Sequence, residues 1–264
     1  MSMNDESPVL LELQLGVATI TLNRPQVRNA LDQATIQAFI QILNDIEKQN
    51  DIKAVIVRGK GEHFCSGADI QTMSQSAQLT QEENHQDAFQ FAHLFQRLFS
   101  LNKPIIGLIQ GSIFGGGVGL VACCDLVIAD PNTLFCFPEV KLGLIPATIS
   151  PYVVAAIGAH ATKRYMMTAE LFTAEKALQL GLVHEIATPD NLNALLAKIL
   201  HNIQQNNSKA MKIAKNWIQQ LASHPRTAEA QMIQAANLMA ELRVSKEAQE
   251  GFNAFLEKRP PKWT

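Results

Sequence analysis

The stretch PIIGLIQGSIFGGGVGLVACC, Pro104 to Cys124, carries no charge and six glycines, with Gly115, Gly116 and Gly117 consecutive. It is long enough to cross a bilayer. Glycine-rich irregular backbone facing lipid would, however, leave N–H and C=O groups unpaired, and Gln110 and Ser112 stand near its middle. The stretch therefore reads as a strand at Ile105–Ile109, a glycine loop, and a short buried helix ending at Cys124. A strand turning directly into a helix is the repeating unit of an α/β protein.

Working outward, the same alternation recurs. Val17 to Leu22 is a β-branched apolar segment stopped by Asn23-Arg24-Pro25. From Leu31 to Lys48, residues Ile36, Phe39, Ile40, Leu43 and Ile46 share one helical face. Ala54-Val55-Ile56-Val57 predicts a fully buried strand, with Gly59-Lys60-Gly61 as its turn. Leu126–Ala129, Leu134–Phe137 and Leu182–Ile186 are further predicted strands. The polar run Gln71 to Asp87 predicts a mobile surface loop or a loosely held helix.

From Ser208 the character changes. Ala210, Ile213, Ala214, Trp217, Ile218 and Leu221 form an apolar helical stripe, with further helices predicted to Arg243 and over Glu247 to Glu257. Residues 1–205 are expected to form the core and 206–264 a helical C-terminal region. That tail is too small for an independent core and should cover its stripes on the core or on a second copy.

Composition narrows the function classes. The 264 residues are 47% hydrophobic, enough for one sizeable core. Net charge is −2, from 22 basic and 24 acidic residues mixed along the chain, which leaves no basic face for nucleic acid. Cys65, Cys123, Cys124 and Cys136 show no CxxC spacing and read as reduced thiols of a cytoplasmic protein. Met1-Ser2-Met3-Asn4-Asp5-Glu6 lacks the basic and apolar regions of a signal peptide. None of the seven histidines makes a metal-ligand pattern. His63 reads as a local structural residue, since Ser66 lies in no GxSxG elbow.

Two segments carry the chemistry: Phe64-Cys65-Ser66-Gly67-Ala68-Asp69-Ile70 and Gly111 to Gly119. Small residues where strands end let backbone approach a ligand closely and aim N–H groups at an anionic oxygen. Tight helix–strand packing explains many such clusters equally well.

Taken with Leu22-Asn23-Arg24-Pro25, Asn29-Ala30-Leu31, Lys103–Ile106, Cys124-Asp125, Pro138 to Pro146 and Ala177 to Val183, they resemble the crotonase (enoyl-CoA hydratase/isomerase) superfamily across nearly the whole chain. The resemblance implies a spiral of ββα units with a helical C-terminal region, assembled as a homo-oligomer, a trimer or a dimer of trimers. The substrate would be an acyl-CoA thioester, which brings its own CoA; no further cofactor or metal is expected, and no membrane partner. By position, Ala68 and Gly116 would supply the two backbone N–H groups of an oxyanion hole, and Glu139 the catalytic carboxylate. Ser66, Gly67, Asp69, Ile70, Gly115 and Gly119 would surround the substrate. Arg28 stands where a basic CoA contact is often found, with a solvated surface arginine as the alternative, and Lys258 is a candidate phosphate contact.

The chain departs from the two-glutamate pattern, carrying Gly119 where a second glutamate usually stands. Single-carboxylate members include Δ3,Δ2-enoyl-CoA isomerases. The run Lys141 to Tyr152 with Gly117-Val118-Gly119-Leu120 resembles a narrower bacterial subgroup, the 3-methylglutaconyl-CoA and related carboxy-enoyl-CoA hydratases of leucine or acyclic-terpene degradation. On that reading a hydratase acts on a branched or carboxylated substrate, Gly119 opens room beside C3, and Thr148 and Ser150 reach a distal carboxylate or cap a helix. An acyl-CoA thioester hydrolase and a non-catalytic CoA-binding scaffold are the rivals.

Overall fold

The structure, a computed structural model, describes residues 6–75, 78–223 and 227–263. The chain divides into two units, residues 1–204 and 205–264.

The first unit opens on an antiparallel pair, β1 (Val9–Gln14) and β2 (Val17–Leu22). Helix α1 (Gln33–Lys48) follows, its N-terminus capped by Asp32, whose carboxylate accepts from Thr35 N. Then come β3 (Ala54–Gly59), α2 (Ile70–Ser74) and α3 (Gln81–Phe99). Next are β4 (Ile105–Ile109), β5 (Ser112–Phe114) and α4 (Gly116–Ala122). A second cycle runs through β6 (Leu126–Ala129), β7 (Leu134–Cys136), a 3-10 turn at Glu139–Leu142 and α5 (Ser150–Thr168), which kinks at Gly158. The unit closes with β8 (Phe172–Thr173), α6 (Ala174–Leu180), β9 (Glu185–Ile186) and α7 (Pro189–Gln205).

In the β4–β5–α4 and β6–β7–α5 cycles one strand joins a large sheet, the next joins a small one, and a helix follows. The large sheet has order β1-β2-β3-β4-β6-β9, parallel from β2 onward; the small sheet has order β5-β7-β8. This is the expected spiral of ββα units. Parallel strands bury both faces, and alternate residues here go opposite ways. Val55 and Val57 face the main core with Phe39, Leu43, Phe64 and Phe95, whereas Ile56, Ile106 and Ile128 meet Leu192, Leu195, Leu196 and Ile199 of α7.

Several elements differ from the sequence reading. The run at Gln71–Asp87 holds α2 and the first turns of α3, while Ser76 and Ala77 within it lie outside the described residues. A capping box starts α3: Thr80 Oγ1 accepts from Glu83 N, and the Glu83 carboxylate accepts from Thr80 N. The segment 182–186 narrows to a two-residue strand. Among the described residues, no helix is long and apolar enough to cross a membrane.

The second unit comprises α8 (Ser208–Ser223), α9 (Ala228–Arg243) and α10 (Lys246–Leu256). The chain after α10 folds back on it. Glu250 accepts from both Arg259 Nη atoms (2.7 and 3.0 Å) and from Lys262 N (2.7 Å), and Trp263 Nε1 donates to Gln205 O at 2.7 Å.

Asn29 joins two loops of the first unit. It is 1% exposed, its amide donates to Lys60 O and His63 O, and its Oδ1 accepts from Arg24 N. Asn29→Ala should lower unfolding free energy by about 2–4 kcal/mol, since three backbone groups around a buried side chain lose a bond. An unchanged urea midpoint at unchanged slope would contradict this.

Candidate active site

Backbone contact builds the site. Leu31 lies beside Ala68 as an isolated parallel bridge, in which Leu31 N donates to Gly67 O (2.8 Å) and Asp69 N donates to Leu31 O (3.0 Å). In such a bridge the bonds run through the residues flanking Ala68, so the Ala68 N–H points to the opposite side. Cys65 bridges Ile113 in the same way, and Phe114 N donates to Cys65 O at 3.2 Å. These contacts lay the segment after β3 against the turn into α4.

Glycines permit that approach. A Cβ on Gly67 would stand 2.7 Å from Phe114 O and 3.2 Å from Gly116 N, and one on Gly117 would stand 2.3 Å from Cys65 O. Gly116 is the first residue of α4, so its N–H has no intrahelical acceptor. Two unspent donors, Ala68 N–H and Gly116 N–H, thus lie on neighbouring backbones. Leu31 and Phe95 flank Gly116, each 3.6 Å from where its Cβ would be.

Glu139 faces this turn. Gly115 N donates to Cys136 O (2.9 Å), and a Cβ on Gly115 would fall 2.6 Å from Glu139 Oε1. Gly115 also has φ +48°, a conformation that favours glycine. Glu139 Oε2 is buried with no hydrogen-bond partner among the described residues. Burial raises its pKa above the ordinary carboxylate value, with a bond from its own backbone N–H opposing. Glu139 sits in a 3-10 turn. Among the described residues it makes no ion pair with Lys141, two residues on.

The other expected site residues separate into groups. Ser66, Gly67, Asp69 and Ile70 adjoin Ala68, and Arg28 adjoins them through its carbonyl, which accepts from Ser66 N (3.0 Å). Arg28 is exposed with φ +53°, and Ile70 is 68% exposed. The Asp69 carboxylate is already engaged: it caps α2 through Gln71 N and pairs with Arg24. Arg24, Asn29 and Asp32 were not singled out in the sequence, although all three hold this region together. His63 Nδ1 accepts from Ser112 N (3.0 Å), a structural role as expected. Lys258 belongs to the second unit.

Two expectations need correction. Gly119 opens no room: a Cβ there would stand 2.2 Å from Ile149 Cγ2 and 3.0 Å from Phe95 Cε1. The volume of a second carboxylate is filled by apolar atoms, so Gly119 is a packing residue. Neither Thr148 nor Ser150 caps α5; its N-cap is Ile149, without a side-chain bond, and Ser150 Oγ donates back to Pro146 O at 2.7 Å.

Comparison with known proteins agrees with this geometry. The model of the enoyl-CoA hydratase/isomerase family matches residues 12–264. The chain belongs to that family. An enoyl-CoA hydratase from Shewanella pealeana superposes with a TM-score of 0.93 at 38% identity, covering 97% of this chain and 96% of that one. A short-chain-enoyl-CoA hydratase of Clostridium acetobutylicum is 33% identical over 80% of each chain. A 2,3-dehydroadipyl-CoA hydratase of Escherichia coli is 28% identical over 97% of this chain and 98% of its own. The chain is accordingly an enzyme of the enoyl-CoA hydratase type, a hydro-lyase acting on CoA thioesters.

Gly119→Ala should destabilise the enzyme by about 1–3 kcal/mol through overpacking, and Ile149→Ala in the same chain should recover part of that loss. Unfolding titrations check it; full stability in the single variant would show that the site can hold a side chain at 119.

Proposed function

We propose that this enzyme adds water across the 2,3 double bond of a branched or carboxylated enoyl-CoA such as 3-methylglutaconyl-CoA, with Glu139 as its one catalytic carboxylate. The observation that carries the catalytic part is the Glu139 carboxylate, with Oε2 buried and unpartnered among the described residues and Oε1 against Gly115, one residue from the Gly116 donor.

In this reading the thioester oxygen accepts from Ala68 N–H and Gly116 N–H. Attack of water oxygen on C3 shifts the double-bond electrons toward C2 and the carbonyl, and the two donors stabilise the resulting enolate charge. Glu139 takes the proton from the attacking water and then gives it to C2, which completes the addition and restores the carboxylate. Burial holds the carboxylate pKa nearer neutrality, which makes it a better proton carrier in both directions.

The substrate class rests on three supports. The run Lys141 to Tyr152 resembles carboxy-enoyl-CoA hydratases. The E. coli relative is named for a substrate with a second carboxyl group. Ile149 and Phe95 close the position where a second fixed carboxylate would repel such a group. A second reading, Δ3,Δ2-enoyl-CoA isomerisation, is favoured by that same single carboxylate, which could move one proton between C4 and C2. Turnover of crotonyl-, 3-enoyl- and 3-methylglutaconyl-CoA separates the two, and preference for the 3-enoyl thioester would replace hydration by isomerisation. Four free thiols support a cytoplasmic setting.

Glu139→Gln should keep thioester binding and lose about 10²-fold or more in kcat. In the parent enzyme, kcat/KM should fall as pH drops through a pKa above the ordinary glutamate range, because the base is the ionised form. Near-parent turnover by the variant, or an acid limb at the ordinary value, would remove Glu139 as the base.

We also propose a homo-oligomer, a trimer or a dimer of trimers. In the first unit, Leu142, Ile145, Met167 and Leu171 are 59%, 73%, 73% and 58% exposed, an apolar load unusual for a free surface. Sedimentation at micromolar concentration should show no stable monomer; a monomer would sink this proposal.

A further inference from the structure

The catalytic reading leaves one cluster of partly buried charge unused, and it surrounds the Leu31–Ala68 bridge. Arg24 ends the turn after β2 with its side chain 20% exposed. Nη1 donates to Ala30 O at 2.7 Å, and Nη2 reaches Asp32 Oδ2 at 3.1 Å and Asp69 Oδ2 at 3.2 Å. Ala30 and Asp32 are the residues on either side of Leu31, and Asp69 immediately follows Ala68. One guanidinium therefore holds both flanks of one bridge partner and one flank of the other.

The two carboxylates are used alike. Asp32 gives Oδ1 to the start of α1, accepting from Thr35 N and Oγ1, and gives Oδ2 to Arg24. Asp69 gives Oδ1 to the start of α2, accepting from Gln71 N, and gives Oδ2 to Arg24. Two helix starts and the bridge between them converge on a planar fork of donors that an ammonium group cannot reproduce.

We propose that Arg24 is a positioning residue for the reaction, setting the direction of the Ala68 N–H that binds the thioester oxygen. It touches no substrate. The peptide plane carrying that N–H also carries Gly67 O, which accepts from Leu31 N, and the next plane carries Asp69 N, which donates to Leu31 O, with the Asp69 carboxylate held by Arg24. Loosening the guanidinium lets the plane tilt, and a tilted donor loses most where charge develops on the oxygen. The proposal rests on the reading of Ala68 N–H as a carbonyl donor.

Arg24→Lys keeps the charge and loses the fork; Asp69→Asn keeps the helix cap and weakens the pair. Each should lower kcat about tenfold or more while KM stays within about twofold, the pattern of a misaligned transition-state donor. The double variant should be no worse than the weaker single one, as for two members of one network. The second readout is cinnamoyl-CoA, a chromophoric thioester whose bound absorbance moves to the red as its carbonyl is polarised. The parent enzyme should show that shift, and Arg24→Lys should show a smaller one. A lowered melting temperature with unchanged kcat and an undiminished red shift would make Arg24 merely structural and overturn the proposal. No red shift in the parent enzyme would instead overturn the Ala68 reading, and the Arg24 proposal with it.

Discussion

Two lengths of backbone, the one after β3 and the one entering α4, touch with no side chain between them. Gly67 and Gly117 make that contact possible, because a methyl group on either would penetrate a carbonyl oxygen of the other segment. The proposed chemistry depends on this closeness. Two peptide N–H groups from distant parts of the chain come to one place, and neither is consumed by secondary structure. A hydrogen-bond donor fixed before the reaction needs no reorganisation when charge appears, which is why such donors are effective.

The carboxylate obeys a related constraint. Glu139 can approach the turn because Gly115 presents no Cβ, and the approach takes one oxygen out of water. A half-buried carboxylate with one oxygen unpartnered among the described residues is unfavourable for the fold, and its raised pKa expresses that cost. The surrounding core, with Phe39, Phe64, Phe95 and Phe135 fully buried, offsets it. Stability in the sheet thus supports strain at the site.

Much of this was legible in the sequence, for identifiable reasons. The strands at Val17, Ala54, Ile105 and Leu126 are buried on both faces, so they appear as unbroken β-branched runs. β1 is a partly exposed edge whose leucines do not alternate cleanly, and β5 and β8 are too short to carry a period, so none of the three shows in the sequence, whereas β9 is the short remnant of the strand expected at 182–186. The polarity of Gln71–Asp87 leaves loop and helix both open, although Thr80 and Glu83 hold the signal of a capping box. At the site, the glycines and Glu139 stood out through their resemblance to a family. Arg24 and Asn29 lie in runs that carry the resemblance, but their roles do not show there, since their partners at Asp69, Lys60 and His63 lie beyond any local periodicity; Asp32 carries only the local N-cap signal of α1 through Thr35. Gly119 was read as a vacancy because the sequence does not disclose that Ile149 fills the space.

That filled space bears on how such enzymes change over generations. Placing an acid at 119 first drives it into Ile149 and Phe95. Trimming Ile149 first leaves a hole of several methyl groups, a loss of about 2–5 kcal/mol in a typical core. Neither order passes through a comfortable intermediate, so a one-carboxylate site packed by Ile149 and Phe95 and a two-carboxylate site are separated by a valley of lowered stability.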